Sequence, residues 1–163
     1  MVYLGLDPGS ISGAVGALDS NGDYLDSFMI EHKDKNILPL VFKNMILRCI
    51  DPKEGAEICM ESVHSMPGQG VASSFQFGRA VGVISAVAEL TNYPLTLVSP
   101  QRWKKWFHLS ADKNESLDLA RSFWPEAKLT RKKDGNRAEA LLIALYWREQ
   151  INGKQDKPIK NPD

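Results

Sequence analysis

Three consecutive apolar runs at the start of the chain have the pattern of β-strands, and helical periodicity begins only after them. The first run is VYLGLD, from Val2 to Asp7. The next two, GAVGALD and DYLDSFMI, flank Ser20-Asn21-Gly22-Asp23, an Asn-Gly turn typical of a β-hairpin. Because strands joined by such short turns pair antiparallel, the pattern predicts a sheet that opens with three antiparallel strands.

Helices and strands alternate along the rest of the chain, without an internal repeat. Two further strands and five helices are predicted, with Pro39 near the start of the first helix and Pro125 after the fourth. A strand–helix–strand connection favours parallel pairing, so the expected fold class is α/β, with a five-stranded mixed sheet flanked by helices. In chain order the segments are ILPLVFKNMILRCI, AEICMESV, ASSFQFGRAVGVISAVAEL, PLTLVS, PQRWKKWF, DKNESLDLARSFW and RAEALLIALYWREQ.

The length of 163 residues and the hydrophobic content of 43% suit one domain with one core. We expect residues 1–150 to form that domain and the polar, proline-containing residues 151–163 to be a disordered tail. No run approaches the roughly 18 apolar residues of a membrane span, and no basic flank precedes an apolar region at the N-terminus, so a cytoplasmic protein is expected. Cys49 and Cys59 lie in apolar runs without a CxxC or Cys/His cluster, which indicates reduced core residues.

Positive charge is concentrated in one part of the chain, although the formal net charge is zero. Between Ser99 and Arg137 there are ten Lys or Arg and five Asp or Glu, a local excess of +5. Aromatic residues are interleaved with this charge in QRWKKWF, whose Trp103 and Trp106 are expected in the core rather than as stacking platforms. Such a block is typical of a surface that faces phosphates, so nucleic acid is the expected partner, with an ordinary solvated face as the alternative.

Four carboxylates lie where a sheet edge and a helix start can bring them together. Asp7 ends the first strand and Glu61 ends the fourth. If those strands are parallel neighbours, the two side chains lie side by side at the carboxyl edge, where ligand sites of open sheets form. Asp134 and Glu139 lie at the start of the last helix.

Each of these acids also has an ordinary structural interpretation. Asp7 before a Pro-Gly pair suits a simple turn, and Glu61 at a strand end suits solvent exposure. Asp134 can cap the last helix, and Glu139 can pair with a nearby lysine or arginine. Only the joint placement of the four acids favours a functional site.

Six motifs follow one another between Val2 and Trp147: GLDPGSISGAVG, CMESVHSMPGQG, SFQFGRAVGVISAV, VSPQRWKKWF, ADKNES and DGNRAEALLIALY. Together they resemble the RuvC family of Holliday junction resolvases, particularly its phage-encoded branch. The resemblance implies an RNase H-like fold and an endodeoxyribonuclease of DNA recombination and repair that cuts four-way junctions, with other branched DNA as further expected substrates. It also implies a homodimer in the cytoplasm of a bacterium, or of the bacterial host if the protein is phage-encoded.

The resemblance implies a catalytic set of four metal ligands. Asp7 and Glu61 belong to it, and Glu139 fits its last acid. The remaining acid is assigned to Asp134, the only carboxylate available a few residues upstream, which then has to lie on the loop before the helix. Asn136 is the alternative, because residues three apart on a helix face the same way. It would be either a neutral ligand or an engineered replacement of an acid.

The physical chemistry of converging carboxylates supports the same metal chemistry. They repel one another unless cations lie between them, and hard oxygen ligands select Mg²⁺ or Mn²⁺. Two such ions about 3.5 to 4 Å apart activate a water and stabilise the leaving 3′ oxygen of a phosphodiester. The expected cofactor is Mg²⁺, two ions per active site, with Mn²⁺ able to substitute.

Candidate DNA contacts lie in the basic block and in the loop after the fourth strand. The resemblance supports Lys104 and Lys113 as basic positions near the active centre, with ordinary surface lysines as the alternative. His64 and Met66 border a loop that in this family approaches the junction centre, so each is a candidate to wedge between bases. The remaining candidates, all from the basic block, are Arg102, Lys105, Arg131 and Lys132.

Small residues recur four apart on the long predicted helix, at Gly78, Gly82 and Ala86. This spacing permits close approach of another helix. It suits a two-fold interface between copies of the chain, with simple core packing as the alternative.

Two other functions stay open from the sequence. One is a junction-binding protein that has lost catalysis, because Asn136 stands near a position where an acid is expected. The other is an actin-like or sugar-kinase nucleotide-binding domain, because LGLDPGSISGAVG resembles the phosphate hairpin of that superfamily. The second function is disfavoured, since those proteins need two such domains and the chain has no second Asp-containing glycine hairpin.

Overall fold

The chain folds around one mixed sheet, and the computed structural model describes residues 1–64, 68 and 70–153. The strands are β1 (Val2–Asp7), β2 (Ala14–Leu18), β3 (Tyr24–Met29), β4 (His32–Lys33), β5 (Asn36–Ile37), β6 (Ala56–Glu61) and β7 (Leu95–Val98). Five of them form the sheet in the order β3-β2-β1-β6-β7, while β4 and β5 form a separate short hairpin. The β1–β2 and β2–β3 pairs are antiparallel, and the β1–β6 and β6–β7 pairs are parallel. The predicted five-stranded mixed sheet is confirmed.

Helices cover both faces of this sheet. In the described part of the chain they are α1 (Pro39–Arg48), α2 (Val71–Glu89), α3 (Pro100–Trp106), α4 (Lys113–Phe123) and α5 (Gly135–Ile151). Two 3₁₀ turns, Pro125–Ala127 and Lys132–Asp134, lie between α4 and α5. The sequence does not predict these turns or the β4–β5 hairpin, because elements of two or three residues are too short to show a hydrophobic period.

The turn between β2 and β3 has the geometry that its Asn-Gly pair predicts. Gly22 has a φ of +90°, a conformation that glycine adopts readily and other residues rarely do. The amide of Gly22 donates to the carbonyl of Asp19, and the carboxylate of Asp19 accepts from the amides of Asn21 and Asp23. These bonds close the hairpin that brings β2 and β3 together.

Alternation along β1 sends neighbouring side chains to opposite faces of the sheet. Leu4 and Leu6 pack in the core that α1 and α2 cover. Gly5, between them, faces α5. Asp7, two residues after Gly5, therefore ends β1 on the α5 face.

The same alternation places the last acid of β6. Ile58 and Met60 pack in the core on the α1 and α2 side, whereas Cys59 packs in the core on the α5 side. Glu61 follows Cys59 by two residues, so its side chain leaves the sheet on the α5 face, as that of Asp7 does.

The backbone of α5 lies directly against β1 and β2. A Cβ atom at Gly5 would lie 1.9 Å from the carbonyl oxygen of Ala140, and one at Gly16 would lie 2.5 Å from the amide nitrogen of Leu141. Only hydrogen fits in these two positions. The contact fixes the distance of α5 from the sheet and holds Glu139, the residue before Ala140, close to the strand ends.

Helix α2 is less buried than α5. Its buried residues are Ala80, Ile84, Val87 and Ala88. By length and composition alone α2 could cross a membrane, a criterion that core helices of soluble proteins also meet. From the sequence we expect no segment near the length of a membrane span, and α2, with 19 residues, is the exception to that expectation.

Gly5→Ala is expected to lower the free energy of unfolding by about 1–3 kcal/mol or more, because the added methyl group pushes α5 away from the sheet. Urea denaturation followed by circular dichroism measures the change. Gly70→Ala is the control, since a Cβ atom there meets no atom within 4 Å. Its effect should stay below about 1 kcal/mol. Equal stability of Gly5→Ala and the wild type would contradict the backbone contact.

Candidate active site

Two carboxylates lie side by side at the carboxyl edge of the sheet. β1 and β6 are parallel neighbours, with Leu6 paired to Met60. Asp7 and Glu61 are the next residues and end their strands together. Asp7 is buried, with 7% of its surface exposed, and Glu61 is partly buried. The strand register thus brings together the two acids that the sequence places at strand ends.

A third carboxylate reaches this edge from α5. Glu139 lies in the second turn of the helix and is buried, with 4% exposed. Its carboxylate is near enough to those of Asp7 and Glu61 to act electrostatically on both. The structure therefore groups three of the four acids that the sequence assigns to the site.

Burial and mutual repulsion oppose the ionisation of these acids. Burial, followed by the charges of Glu139 and Glu61, holds the pKa of Asp7 well above its usual value, against the opposing attraction of Lys113. Burial also raises the pKa of Glu61, although a hydrogen bond from Trp103 lowers it. A cation near these oxygens would favour the ionised form of each acid.

Two lysine ammonium groups contact Glu139, one at each carboxylate oxygen. Lys104 Nζ lies 2.8 Å from Glu139 Oε1, and Lys113 Nζ lies 3.0 Å from Glu139 Oε2. Ser116 Oγ donates a longer bond of 3.4 Å to Oε1. Burial lowers the pKa of Lys113, but attraction to Asp7 and Glu139 outweighs burial, and the pKa is raised. The two ammonium groups offset the negative charge that the three acids carry when they are ionised.

Trp103 orients Glu61. Trp103 is the fully buried residue of α3, and its indole Nε1 donates a 2.8 Å hydrogen bond to Glu61 Oε1. The sequence predicts the core position of Trp103 and misses its contact with the site. The available signal is that a buried indole N–H needs an acceptor, and the identity of that acceptor depends on the fold.

Asn136 lies one turn before Glu139 and belongs to the same group. Its Oδ1 accepts a 2.6 Å hydrogen bond from Lys113 Nζ, and its Nδ2 donates a 2.6 Å hydrogen bond to the carbonyl of Ser12. The amide is thus fixed with its oxygen towards the lysine. The sequence does not predict this contact of Ser12, because only the folded loop after β1 brings its carbonyl to α5.

Asp134, assigned from the sequence as the fourth acid, does not join this group. Its carboxylate accepts from the amide and the guanidinium of Arg131 at 2.8 and 2.9 Å, and Arg137 Nη1 lies 3.5 Å away. The hydrogen bond from the Arg131 side chain keeps the pKa of Asp134 below its usual value, although burial opposes it. Asp134 ends the 3₁₀ turn before α5, as its assignment requires, whereas Asn136 lies on the first turn of the helix, so the identity of the fourth ligand stays a prediction.

The donor chemistry suits a hard divalent cation. Asp7, Glu61 and Glu139 supply carboxylate oxygens and Asn136 supplies an amide oxygen, which are ligands that Mg²⁺ and Mn²⁺ accept. Across residues 1–64, 68 and 70–153, no three His, Cys, Asp or Glu side chains are arranged to hold a metal ion as they stand. In this conformation Lys113 bonds the oxygens of Glu139 and Asn136.

The basic block divides into residues that hold the fold and residues that face solvent. Arg121 forms an ion pair with Asp118, and Arg137 forms one with Asp134. Arg131 caps the turn that carries Asp134 and is largely exposed. Lys104 and Lys113 lie at the acids, as described above. The exposed basic residues that form no ion pair with other described residues are Arg102, Lys105, Lys128, Lys132 and Lys133.

The loop candidate His64 lies beside an open groove. The groove has a volume of about 700 Å³ and is lined by His64 together with Phe75 and Phe77 of α2. A second cavity of about 380 Å³ joins His64 and Phe77 to Pro100 of α3. His64 is therefore close to the end of β6 and to both helices, whereas Met66 lies outside the described residues.

Asp7→Asn is expected to raise the melting temperature of the metal-free protein at neutral pH. Because burial raises the pKa of Asp7 in the folded state, ionisation above the unfolded pKa favours the unfolded chain. Calorimetry in EDTA should show a gain of about 2–4 °C for each kcal/mol of penalty relieved. The gain should vanish below about pH 4, where Asp7 is protonated in both states. If the variant is no more stable than the wild type at neutral pH, the result contradicts the raised pKa of Asp7.

Solved structures of Holliday junction resolvases share the architecture. Thermus thermophilus RuvC in complex with a Holliday junction substrate matches with a TM-score of 0.69 at 17% identity, over 94% of this chain and 97% of that chain. A second T. thermophilus RuvC structure gives 0.67 at 19% identity over the same shares. The fowlpox virus Holliday junction resolvase gives 0.56 at 10% identity, over 93% and 99%. No family model and no curated protein sequence matches the chain. The likeness in structure shows that this chain has the RuvC-like RNase H fold.

Proposed function

We propose that the chain is a structure-specific endodeoxyribonuclease that cleaves four-way DNA junctions with divalent cations as cofactor. The observation that carries this proposal is the grouping of Asp7, Glu61 and Glu139 at the carboxyl edge of the sheet. The fold is that of a RuvC described in complex with a Holliday junction substrate, which supports branched DNA as the substrate class. Hard oxygen donors beside lysines are the composition that metal-assisted phosphodiester hydrolysis needs.

The cofactor proposed is Mg²⁺, two ions per site, with Mn²⁺ able to substitute. When bound, such ions supply a Lewis acid that activates water and neutralises the leaving oxygen. Asp7, Glu61 and Glu139 would hold them. For the fourth position we favour Asn136 over Asp134, because the Asn136 amide oxygen faces the group that contains Glu139.

Other side chains fix the acids and balance their charge. Trp103 holds Glu61 Oε1 through its indole N–H, which limits the rotation of that carboxylate. Lys104 contacts Glu139, and its ammonium also lies 5.2 Å from the centre of the Trp103 ring. An ammonium held in this way would offset negative charge that develops on a phosphate at the acids.

The substrate surface proposed extends from the acids along α3. A cavity of about 580 Å³ there is lined by Lys104, Lys105 and His108. Exposed Arg102 belongs to the same helix. Basic residues on one surface are suited to the DNA backbone, and His64 beside the open groove is suited to contact with unpaired bases.

A homodimer is proposed through α2. Gly78, Gly82 and Ala86 are exposed in the single chain, and Cβ atoms at the two glycines would meet no atom within 4 Å. Phe75 is 71% exposed and lies one turn before Gly78. An apolar face with small residues is suited to close packing of the same helix from a second copy, and a two-fold pair matches the symmetry of a four-way junction.

The Asn136 amide supports one alternative, a junction-binding protein without cleavage activity. An amide oxygen carries no charge and binds a divalent cation less strongly than a carboxylate does. Incubation of a labelled four-way junction with the wild-type protein and Mg²⁺ decides between the two functions, because only the nuclease produces nicked strands. Three-way and linear duplexes in parallel reactions define the range of branched substrates.

Asp7→Asn is expected to reduce Mg²⁺-dependent cleavage of a four-way junction at least about a hundredfold, because a metal ion supplies several kcal/mol of transition-state stabilisation. Junction binding should persist, since the basic surface is unchanged. Cleavage of a labelled junction on denaturing gels and binding on native gels measure the two effects.

Asp134→Asn is the matched control, because the same change of acid to amide is made at a carboxylate that pairs with Arg131. Its cleavage rate should stay within about threefold of the wild type, with some loss of stability from the weakened cap. Full cleavage by Asp7→Asn would exclude the proposed nuclease site.

Gly82→Glu is expected to convert the protein from a dimer to a monomer of 18.2 kDa, because a charged side chain would separate the packed helices. Light scattering at micromolar concentration without DNA measures the mass. Leu25→Glu, at an exposed position of β3 on the far edge of the sheet, should leave the mass at the dimer value. A wild-type mass of one chain would contradict the proposed dimer.

A further inference from the structure

The ammonium of Lys113 lies where oxygen donors of the site converge. Lys113 Nζ is 3.0 Å from Glu139 Oε2 and 2.6 Å from Asn136 Oδ1. Asp7 and Glu61 both attract it electrostatically. The side chains that contact or attract this one positive charge are therefore the same four that the proposed function assigns to a divalent cation.

We propose that Lys113 acts as a built-in substitute for a divalent cation, occupying its ligands in the metal-free protein and leaving them when the metal binds. This inference rests on the proposed function, because it concerns the same acids. It assigns to Lys113 a positioning role in the free protein and makes the ammonium a competitor of the metal ion.

The two lysines of the site differ in the freedom that this exchange requires. The Lys104 side chain is 17% exposed and lies over the buried ring of Trp103. The Lys113 side chain is 58% exposed and starts at the first residue of α4. The backbone there is held by Asp112, whose carboxylate accepts from the amide of Asn114. Lys113 can therefore move its ammonium into solvent without disturbing the helix, whereas Lys104 is confined.

Asn136 makes the exchange easier than an acid would. Its Nδ2 is bonded to the carbonyl of Ser12, which keeps Oδ1 directed at the site after Lys113 leaves. An amide oxygen accepts a hydrogen bond from the ammonium without adding a fourth negative charge to hold it. Both the ammonium and a metal ion can use the same fixed oxygen in turn.

The balance of charge also favours exchange over simple addition. When ionised, the three acids carry three negative charges, and the two ammonium groups next to Glu139 carry two positive charges. A divalent cation added beside both lysines would leave an excess of positive charge. With Lys113 displaced, the first of the two proposed divalent cations and Lys104 together balance the three acids, and the charge of the second ion is left to be balanced by a DNA phosphate.

Lys113→Met tests this inference, because methionine keeps a flexible apolar stem and removes the charge. Titration of Mn²⁺ into the DNA-free protein, followed by electron paramagnetic resonance of the free ion, measures affinity without any turnover. With no ammonium to displace from the oxygens of Glu139 and Asn136, Mn²⁺ should bind at least about fivefold more tightly, which is the effect of one unit-charge interaction at about 4 Å even with the full dielectric screening of water. Lys105→Met removes the same charge from an exposed position of α3 and should change the affinity less than about twofold.

A second measurement uses the wild-type chain and does not depend on the folding of any variant. The Lys113 ammonium, held by two oxygens, should give a protected ¹H–¹⁵N signal in the metal-free protein, and this signal should be lost to solvent exchange when Mg²⁺ is added. The inference is overturned if Lys113→Met binds Mn²⁺ no more tightly than the wild type, or if the signal persists when Mg²⁺ is bound. Absence of Mn²⁺ binding by both proteins would instead overturn the proposed metal site itself.

Discussion

The candidate site depends on the contact between the backbone of α5 and strands β1 and β2. Gly5 and Gly16 leave room for the peptide groups of Ala140 and Leu141 to lie against the strands, with no side chain between them. A side chain larger than hydrogen at either glycine would push α5, and Glu139 with it, away from the strands. The glycines of the sheet are therefore part of the reason that Glu139 can share an environment with Asp7.

The alternation of side chains along the strands and the parallel pairing of β1 with β6 place the other two acids beside Glu139. Asp7 and Glu61 leave the sheet on the face that α5 covers, and the pairing of Leu6 with Met60 brings the two strand ends level. Burial, and to a smaller extent the repulsion among the three carboxylates, raises the pKa values of Asp7 and Glu61. Hydrogen bonding from Trp103 and positive charge at Glu139 are what keep such a group stable in the folded chain.

Much of the fold could be predicted from the sequence, because period-two and helical patterns distinguish strands from helices and the Asn-Gly pair marks the hairpin. The pairing of two strand ends could be predicted as well, since a β–helix–β connection favours parallel neighbours. The choice between Asp134 and Asn136 could not. It depends on where α5 begins, which the apolar pattern does not fix to the residue, and on the pairing of Asp134 with Arg131 in the 3₁₀ turn before α5. Contacts of Trp103 and Ser12 also depend on packing between segments far apart in sequence.

The position of α2 relative to the acids bears on how a dimer would engage DNA. α2 packs on the face of the sheet opposite α5, so a second copy placed against its exposed small residues would leave the α5 face uncovered. The chain leaves β6 at Glu61 and reaches the groove at His64 within three residues, and Phe75 and Phe77 of α2 line the same groove. Phe75 and Gly78 also belong to the face proposed for the partner, so the groove and that face adjoin each other on α2. In the dimer that we propose, each copy would bring one set of acids to the DNA, which is the arrangement that paired cuts at a four-way junction require.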